Sequence, residues 1–119
     1  MTPIEIGTKL VELVKAGKPE QAVETLYARD VVSIEAMPGD GREAKGIPAC
    51  LEKTKQFEQQ FEVHGAEAKG PFPNGDRFAV FYSFDITPRK GGPRTKMTEV
   101  GIYTVKNDKI AREEFFYQM

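Results

Sequence analysis

The sequence predicts one α+β domain, in which three N-terminal helices pack on the concave side of a strongly curved mixed or antiparallel sheet. Apolar residues recur at threes and fours over the first half of the chain, as in amphipathic helices. From Phe61 onward the period changes to two, which is typical of strands that bury one face. A length of 119 residues suits one domain, and no internal repeat or change of composition divides residues 1–119.

Capping residues and apolar stripes predict the three helices. Residues Thr2 to Glu5 have the pattern of a capping box, with proline at the first helical position, and the first helix is expected to end at Gly17. A second, short helix begins near Pro19 and forms a hairpin with the first. The third and longest helix follows Gly46. Its apolar stripe comprises Ile47, Cys50, Leu51, Thr54, Phe57 and Phe61.

Five segments predict strands. A β-branched run at 31–36 closes at a turn formed by residues 38–41. Alternating segments at 63–69, 77–87, 95–106 and 109–117 are separated by turn signals, which predicts antiparallel hairpins. The segment 77–87 is apolar on one face and carries Ala79, Phe81 and Ser83 on the other. That second face is too apolar to be left wholly to water, so we expect it to form a homodimer interface.

The composition excludes several classes of partner. The 17 basic residues are balanced by 18 acidic ones and are scattered along the chain, which argues against binding to nucleic acid. No stretch reaches the ~20 apolar residues of a membrane span, and no signal peptide is evident, so no membrane role is indicated. Cys50 is the single cysteine, which suits a reducing compartment. We therefore expect a cytoplasmic protein.

Four short motifs, taken in their order along the chain, carry a family resemblance. They are residues 18–22 (KPEQA), 26–32 (LYARDVV), 105–110 (VKNDKI) and 112–117 (REEFFY). With the order of elements, they resemble the SnoaL-like members of the nuclear transport factor 2-like (NTF2-like) superfamily, which also includes ketosteroid isomerase, scytalone dehydratase and polyketide cyclases. The resemblance covers the whole chain and implies a cone-shaped α+β barrel of cystatin-like fold around an apolar pocket. Because this scaffold hosts enzymes, binding modules and accessory subunits, function must be inferred from the site.

Glu35 is the candidate general base. Residues 27–35 look like the stretch of ketosteroid isomerase that ends in its catalytic aspartate, and Glu35 falls on that base. Desolvation in an apolar cone raises the pKa of a carboxyl group toward the range useful for proton abstraction. The alternative is a solvated glutamate at the open end of the strand.

The oxyanion hole of ketosteroid isomerase has no counterpart in this sequence. The family's tyrosine on the first helix and protonated aspartate on a central strand correspond to Leu10 and Gly101. Without these donors the proton transfer loses its largest electrostatic contribution, so steroid isomerisation is not expected.

Further candidates come from the last two strands. The resemblance implies that Glu99 shares the pocket face with Gly101, and that Glu113 faces inward unless the register is shifted by one. For both glutamates the alternative is a cross-strand pair with lysine or arginine, and this alternative is favoured more for Glu113 than for Glu99. Two carboxylates in one dry pocket, Glu35 and Glu99, would raise the pKa of at least one of them. The other residues that the resemblance turns toward the pocket are Met97, Tyr103, Phe115 and Tyr117.

Histidine and aromatic residues complete the candidate site. His64, the only histidine, is either an acid or base or a hydrogen-bonded structural group. One histidine and one cysteine do not form a ligand cluster, so we predict no metal and no cofactor. The tyrosines are better ligand-binding candidates than the phenylalanines, because a buried phenol needs a hydrogen-bond partner, whereas aromatic rings in a curved sheet fill the core first. These aromatic candidates are Phe57, Phe61, Tyr82, Phe84, Tyr103 and Tyr117.

The sequence thus supports two functional hypotheses. One is a small-molecule protein, an isomerase, cyclase or lyase, that acts without a cofactor on an apolar or aromatic molecule with Glu35 as base. The other is a non-catalytic module for ligand binding or dimerisation, which the missing oxyanion donors favour. Whether the chain is an enzyme stays open at this point.

Overall fold

The computed structural model describes residues 1–118 and contains three helices and one six-stranded sheet. The helices are α1 (Pro3–Lys15), α2 (Pro19–Leu26) and α3 (Ile47–Gln60). The strands are β1 (Tyr27–Ile34), β2 (Glu43–Lys45), β3 (Phe61–Asn74), β4 (Arg77–Pro88), β5 (Thr95–Lys106) and β6 (Lys109–Phe116). The predicted α+β class, with three helices on a curved sheet, is confirmed.

The helix ends follow from local capping chemistry. The Thr2 hydroxyl accepts a hydrogen bond from the Glu5 backbone N–H at 3.2 Å, and the Glu5 carboxylate accepts one from the Thr2 backbone N–H at 2.9 Å. This capping box begins α1 as predicted. The helix ends at Lys15 rather than Gly17, because Gly17 has a φ of +74° and belongs to the turn that follows.

The sheet is mixed and open. Its strand order is β2-β1-β6-β5-β4-β3, so β2 and β3 form unpaired edges. All neighbouring strands are antiparallel except β1 and β6, which are parallel. The sheet is therefore of the mixed kind that the predicted fold class includes. The chain leaves β1 through β2, α3 and three further strands before β6 pairs with it, and such a long connection permits parallel pairing.

The structure differs from the sequence prediction at β1, β2 and β3. β1 begins at Tyr27, which the helical spacing had assigned to the second helix. β2 was not predicted, because three residues with a single alanine as the apolar one are too few to show a period of two. β3 extends to Asn74. Its pairing with β4 is irregular between Lys69 and Phe72, and this irregularity interrupts the alternation of side chains on which the strand prediction depends.

The core lies between α1, α2 and the concave face of the sheet. Ile6 and Leu10 of α1 are buried with Phe78, Val80 and other residues of the sheet. Gly7 permits the close approach of α1 to β3, since a Cβ atom there would lie 2.6 Å from Cβ of Pro71. The core does not fill the cone completely, and the remaining space forms the site described next. No helix within residues 1–118 is long and apolar enough to cross a membrane.

Candidate functional site

A cavity of about 550 Å³ lies between the three helices and the concave face of the sheet. All candidate residues except Phe61 line it. Phe61 packs against Phe57 with ring centroids 5.0 Å apart, so it supports a lining residue from behind. The candidates that line the cavity are Glu35, Phe57, His64, Tyr82, Phe84, Met97, Glu99, Tyr103, Glu113, Phe115 and Tyr117.

Strand register explains why these side chains meet. In β4 and β5, Tyr82 lies opposite Glu99, and Phe84 lies opposite Met97. In β5 and β6, Tyr103 lies opposite Glu113. Directly opposed residues point to the same face, so one side of three adjacent strands supplies the cavity wall.

Glu113 is the most deeply buried carboxyl group of the site. Its side chain accepts hydrogen bonds from the Tyr27 hydroxyl, at Oε1, and from the Ser33 hydroxyl, at Oε2 over 2.7 Å. Burial raises the pKa of Glu113, and the two hydrogen bonds oppose that rise. The alternative of a cross-strand pair with lysine or arginine is therefore not what the structure shows for Glu113, whose partners are Tyr27 and Ser33. It is the next residue, Glu114 on the other face, that pairs with Arg112 at 3.5 Å.

Lys53 extends the hydrogen bonding toward the cavity. Its Nζ donates to Ser33 Oγ at 2.7 Å and lies 3.4 Å from Glu35 Oε1 and 5.3 Å from the centroid of the Phe115 ring. Lys53, Ser33, Glu113 and Tyr27 form one connected set, which we call the buried network. In this set every polar side chain has a partner, so its geometry is held by several bonds at once.

Glu35 and Glu99 form a contrasting set, which we call the half-buried pair. Glu35 follows the end of β1, keeps 25% of its side chain exposed and has a buried oxygen, Oε2, with no hydrogen-bond partner among the described residues. Glu99 forms no salt bridge within residues 1–118. Burial, together with the charges of Glu35 and Glu113, raises the pKa of Glu99 to about 7. One carboxyl of the pair is thus poised to exchange a proton near neutral pH.

Gly101, the position to which the resemblance assigns an oxyanion aspartate, lies against the ring of Tyr103. A Cβ atom at Gly101 would lie 2.8 Å from Cε1 of Tyr103, so glycine is what allows the ring to lie there. The Tyr103 and Tyr82 hydroxyls are hydrogen-bonded at 2.5 Å, and burial raises the pKa of both phenols. A pair of hydroxyls has two protons and uses one in its mutual bond. One O–H is therefore left to donate to another acceptor.

His64 lies on β3 at the opening of the cavity. Its Nε2 is 2.7 Å from Thr87 Oγ1, and its Nδ1 is 3.8 Å from Glu62 Oε2. The first contact is a hydrogen bond, whereas the second is too long to be one, so His64 is held through Nε2. Cys50 is buried, and burial raises the pKa of its thiol to about 11. No group of three or more potential metal ligands is present in the part of the chain that the structure describes.

Sequence reasoning missed Tyr27, Ser33 and Lys53. Lys53 lies three residues after Cys50 and four before Phe57, so helical spacing alone would have placed it on the same face. Ser33 precedes Glu35 by two residues, which is the spacing of one strand face. Neither spacing predicts that Lys53 and Ser33 contact each other, because the two residues belong to different elements of the chain.

Comparison with known families agrees with this geometry. The sequence model of the SnoaL-like domain matches residues 1–117. The chain belongs to the SnoaL-like family. A SnoaL-like protein of Mesorhizobium loti, whose name suggests a polyketide cyclase, is 44% identical, with a TM-score of 0.91 over 98% of this chain and 100% of that one. No protein with a curated description matches this SnoaL-like chain in sequence.

More distant structures share only the fold of this SnoaL-like domain. A protein of ketosteroid isomerase-like fold from Catenulispora acidiphila, solved with trimethylamine, is 15% identical, with a TM-score of 0.78 over 100% of this chain and 88% of that one. TerC, co-crystallised with polyporic acid, is 18% identical, with a TM-score of 0.76 over 98% and 91%. The predicted NTF2-like, cystatin-like fold is thereby confirmed.

Proposed function

We propose that this SnoaL-like domain binds a small apolar or aromatic molecule in its cavity and transforms it by cofactor-free acid–base chemistry. The observation that carries the proposal is the half-buried pair, because Glu35, with an unpartnered carboxylate oxygen, and Glu99, with a pKa of about 7, line the same cavity. Such a pair can take a proton at one oxygen and exchange one at the other. An isomerase, a cyclase or a lyase would use this capacity.

Glu35 is the proposed base. Lys53 lies 3.4 Å from Glu35 Oε1, while Oε2 has no hydrogen-bond partner among the described residues and is open to accept a proton. The remaining O–H of the Tyr82–Tyr103 pair can donate to an oxygen of the substrate as charge develops there. Glu99 is the second proton-exchanging group, and His64 is a surface residue that would act only on a ligand at the opening.

A binding module without catalysis is the second candidate function. It is favoured by one observation: the two positions of the family's oxyanion donors, Leu10 and Gly101, carry no donor side chain. Neighbouring structures were solved with molecules as different as trimethylamine and polyporic acid, so the fold does not select between the two candidates.

Deuterium exchange separates the two candidates without knowledge of the product. Protein purified from its host is examined by native mass spectrometry, and a ligand that co-purifies is incubated in D₂O with wild type, Glu35→Gln or the control Glu114→Gln. Base catalysis predicts exchange of a ligand C–H with wild type and with the control, and at least a ~100-fold slower exchange with Glu35→Gln. Binding with equal, slow exchange in all three would leave the binding module as the function.

We further propose that the domain works as a homodimer in the cytoplasm. Phe81, Val100 and Phe116 lie opposite one another on β4, β5 and β6 of the outer sheet face, where Phe81 and Phe116 are 37% and 50% exposed. A second copy would cover this row. Light scattering should give twice the 13.3 kDa of the chain, and Phe81→Asp should return it to a monomer. A wild-type mass of one chain at micromolar concentration contradicts the dimer.

A further inference from the structure

We propose that the cavity selects a ligand with a positively charged amine on an apolar or aromatic body, and that Glu99 is the counter-ion of that amine. This inference rests on the proposed function, since it names the class of molecule that the same cavity takes. Three observations support it: the excess of carboxyl groups over cations in the cavity, the aromatic rings near Glu99, and the contacts of the Lys53 ammonium group with a ring and a carboxylate.

The charged groups that face the cavity do not balance. The carboxyl groups of Glu35, Glu99 and Glu113 line it, whereas Lys53 is the one cation among them in the inner part of the described site. The Lys53 ammonium is already engaged by Ser33 and Glu35. Buried carboxylates are stable only when they are paired or protonated. A cationic ligand would supply the missing partner, and an anionic ligand would add to the excess of negative charge.

Aromatic rings lie near Glu99 on the same face of the sheet. Tyr82 lies opposite Glu99 across the β4–β5 pairing, and its ring stacks on Phe84 with centroids 5.7 Å apart. Phe57 packs on the other side of this group, with its centroid 5.9 Å from that of Phe84. The face of an aromatic ring attracts a cation, most strongly where water is excluded. Rings and carboxylate together favour an alkylated ammonium over a neutral group of the same shape.

The contacts of Lys53 show that the cavity can hold an ammonium group between an aromatic ring and a carboxylate. Its ammonium group lies 5.3 Å from the centroid of the Phe115 ring and 3.4 Å from a carboxylate oxygen of Glu35. The protein thus already combines a ring face and a carboxylate to hold a cation inside the cone. Glu99 and the rings of Tyr82 and Phe84 repeat that combination with no protein cation between them, because Glu99 forms no salt bridge within residues 1–118.

The other titratable groups that line the cavity do not offset its excess of carboxyl groups. The phenols of Tyr27, Tyr82, Tyr103 and Tyr117 have raised pKa values and stay neutral, as does the thiol of Cys50. Lys15 of α1, Glu58 of α3 and His64 of β3 line the opening and are exposed, so water screens them. The groups that act on the charge of Glu99 are Glu35, Glu113 and Lys53.

A permanently charged probe tests the proposal, because its own charge does not change with pH. Phenyltrimethylammonium is titrated into the protein and followed by NMR, in parallel with tert-butylbenzene, its neutral isostere, and benzenesulfonate, an anion of similar size. At pH 8 we expect the ammonium to bind at least ~10-fold more tightly than either. As the pH falls through about 7, Glu99 takes up a proton, and the affinity for the ammonium should decrease several-fold while that for the isostere stays constant.

Variants assign the effect to Glu99. Glu99→Gln keeps the shape of the side chain and should lower the affinity for the ammonium ~10-fold and remove its pH dependence. Glu114→Gln on the outer face should change neither. Equal binding of the isostere, preference for the sulfonate, or an unchanged affinity of Glu99→Gln would each overturn the proposal.

The same titrations distinguish this inference from the proposed function. If tert-butylbenzene or benzenesulfonate binds in the cavity and the ammonium does not, the amine class is wrong, but the small-molecule site stands. If none of the three probes shifts the resonances of the cavity residues, the proposal of a small-molecule site fails as well, and the amine inference fails with it.

Discussion

The buried network and the half-buried pair both contain glutamates that line the cavity, and they differ in how far the carboxylate oxygens are satisfied. Glu113 accepts bonds at both oxygens and is 5% exposed. Glu35 has one buried oxygen without a partner, and Glu99 has no salt bridge among the described residues. Satisfied polar groups rigidify a fold, whereas unsatisfied ones in a cavity are available to a ligand. The contrast therefore separates a structural carboxyl from two candidate functional ones.

Loss of Glu113 should have the largest effect on stability. Glu113→Leu leaves the buried hydroxyls of Tyr27 and Ser33 without their acceptor and should lower the free energy of unfolding by about 3 to 5 kcal/mol. Urea denaturation of the variant measures this loss. Glu114→Gln, on the outer face, is the matched control and should stay within about 0.5 kcal/mol of wild type. A loss below about 1 kcal/mol for Glu113→Leu would show that the network is not structural.

Glu99→Gln should raise the free energy of unfolding, in contrast to Glu113→Leu, and the size of this effect should depend on pH. Because the folded protein raises the pKa of Glu99 from 4.5 to about 7, its stabilising contribution is complete below 4.5 and is lost as the pH rises through 7. Glutamine cannot ionise, so the stability of the variant relative to wild type should increase by about 3 kcal/mol between pH 4 and pH 8. Denaturation curves at the two pH values provide the measurement. A difference that does not change with pH contradicts the raised pKa.

Gly101→Ala should have a smaller effect that is purely steric. The added Cβ atom would lie 2.8 Å from Cε1 of Tyr103, and displacing that ring should cost about 1 to 2 kcal/mol. Gly65→Ala is the control, since a Cβ atom in that strand would meet nothing within 4 Å. Thermal denaturation of both variants compares the two sites. Similar melting temperatures would mean that Tyr103 can move away without cost.

Steroid isomerisation should be absent in wild type. Tyr82 and Tyr103 together offer one free O–H, whereas the isomerase that the sequence resembles uses two donors in its oxyanion hole. A β,γ-unsaturated ketosteroid is incubated with the protein, and the conjugated product is followed by its ultraviolet absorbance. Efficient turnover would show that the tyrosine pair or His64 replaces the missing donors, and would favour catalysis over simple binding.

The sequence by itself determined the fold class, the helices and most strands, because capping residues and apolar periods act over a few neighbouring residues. The capping box of Thr2 and Glu5 and the alternation in β4 are examples of this local information. The family motifs added the inward side of β5 and β6, and hence the candidates Glu99 and Glu113. Phe61 was misplaced, since periodicity cannot say which aromatic ring of a helix end reaches a cavity.

Only the tertiary structure decided which carboxyl is structural and which is free. Glu113 is satisfied by Tyr27 and Ser33, which lie 86 and 80 residues away in the sequence. Lys53 of α3 contacts Ser33 of β1 and Glu35, which follows that strand. Partners of this kind are set by the parallel pairing of β1 with β6 and by the packing of α3 across the cone. Burial and hydrogen bonding, which set the pKa of a carboxyl group, arise from such long-range contacts and have no local signal in the sequence.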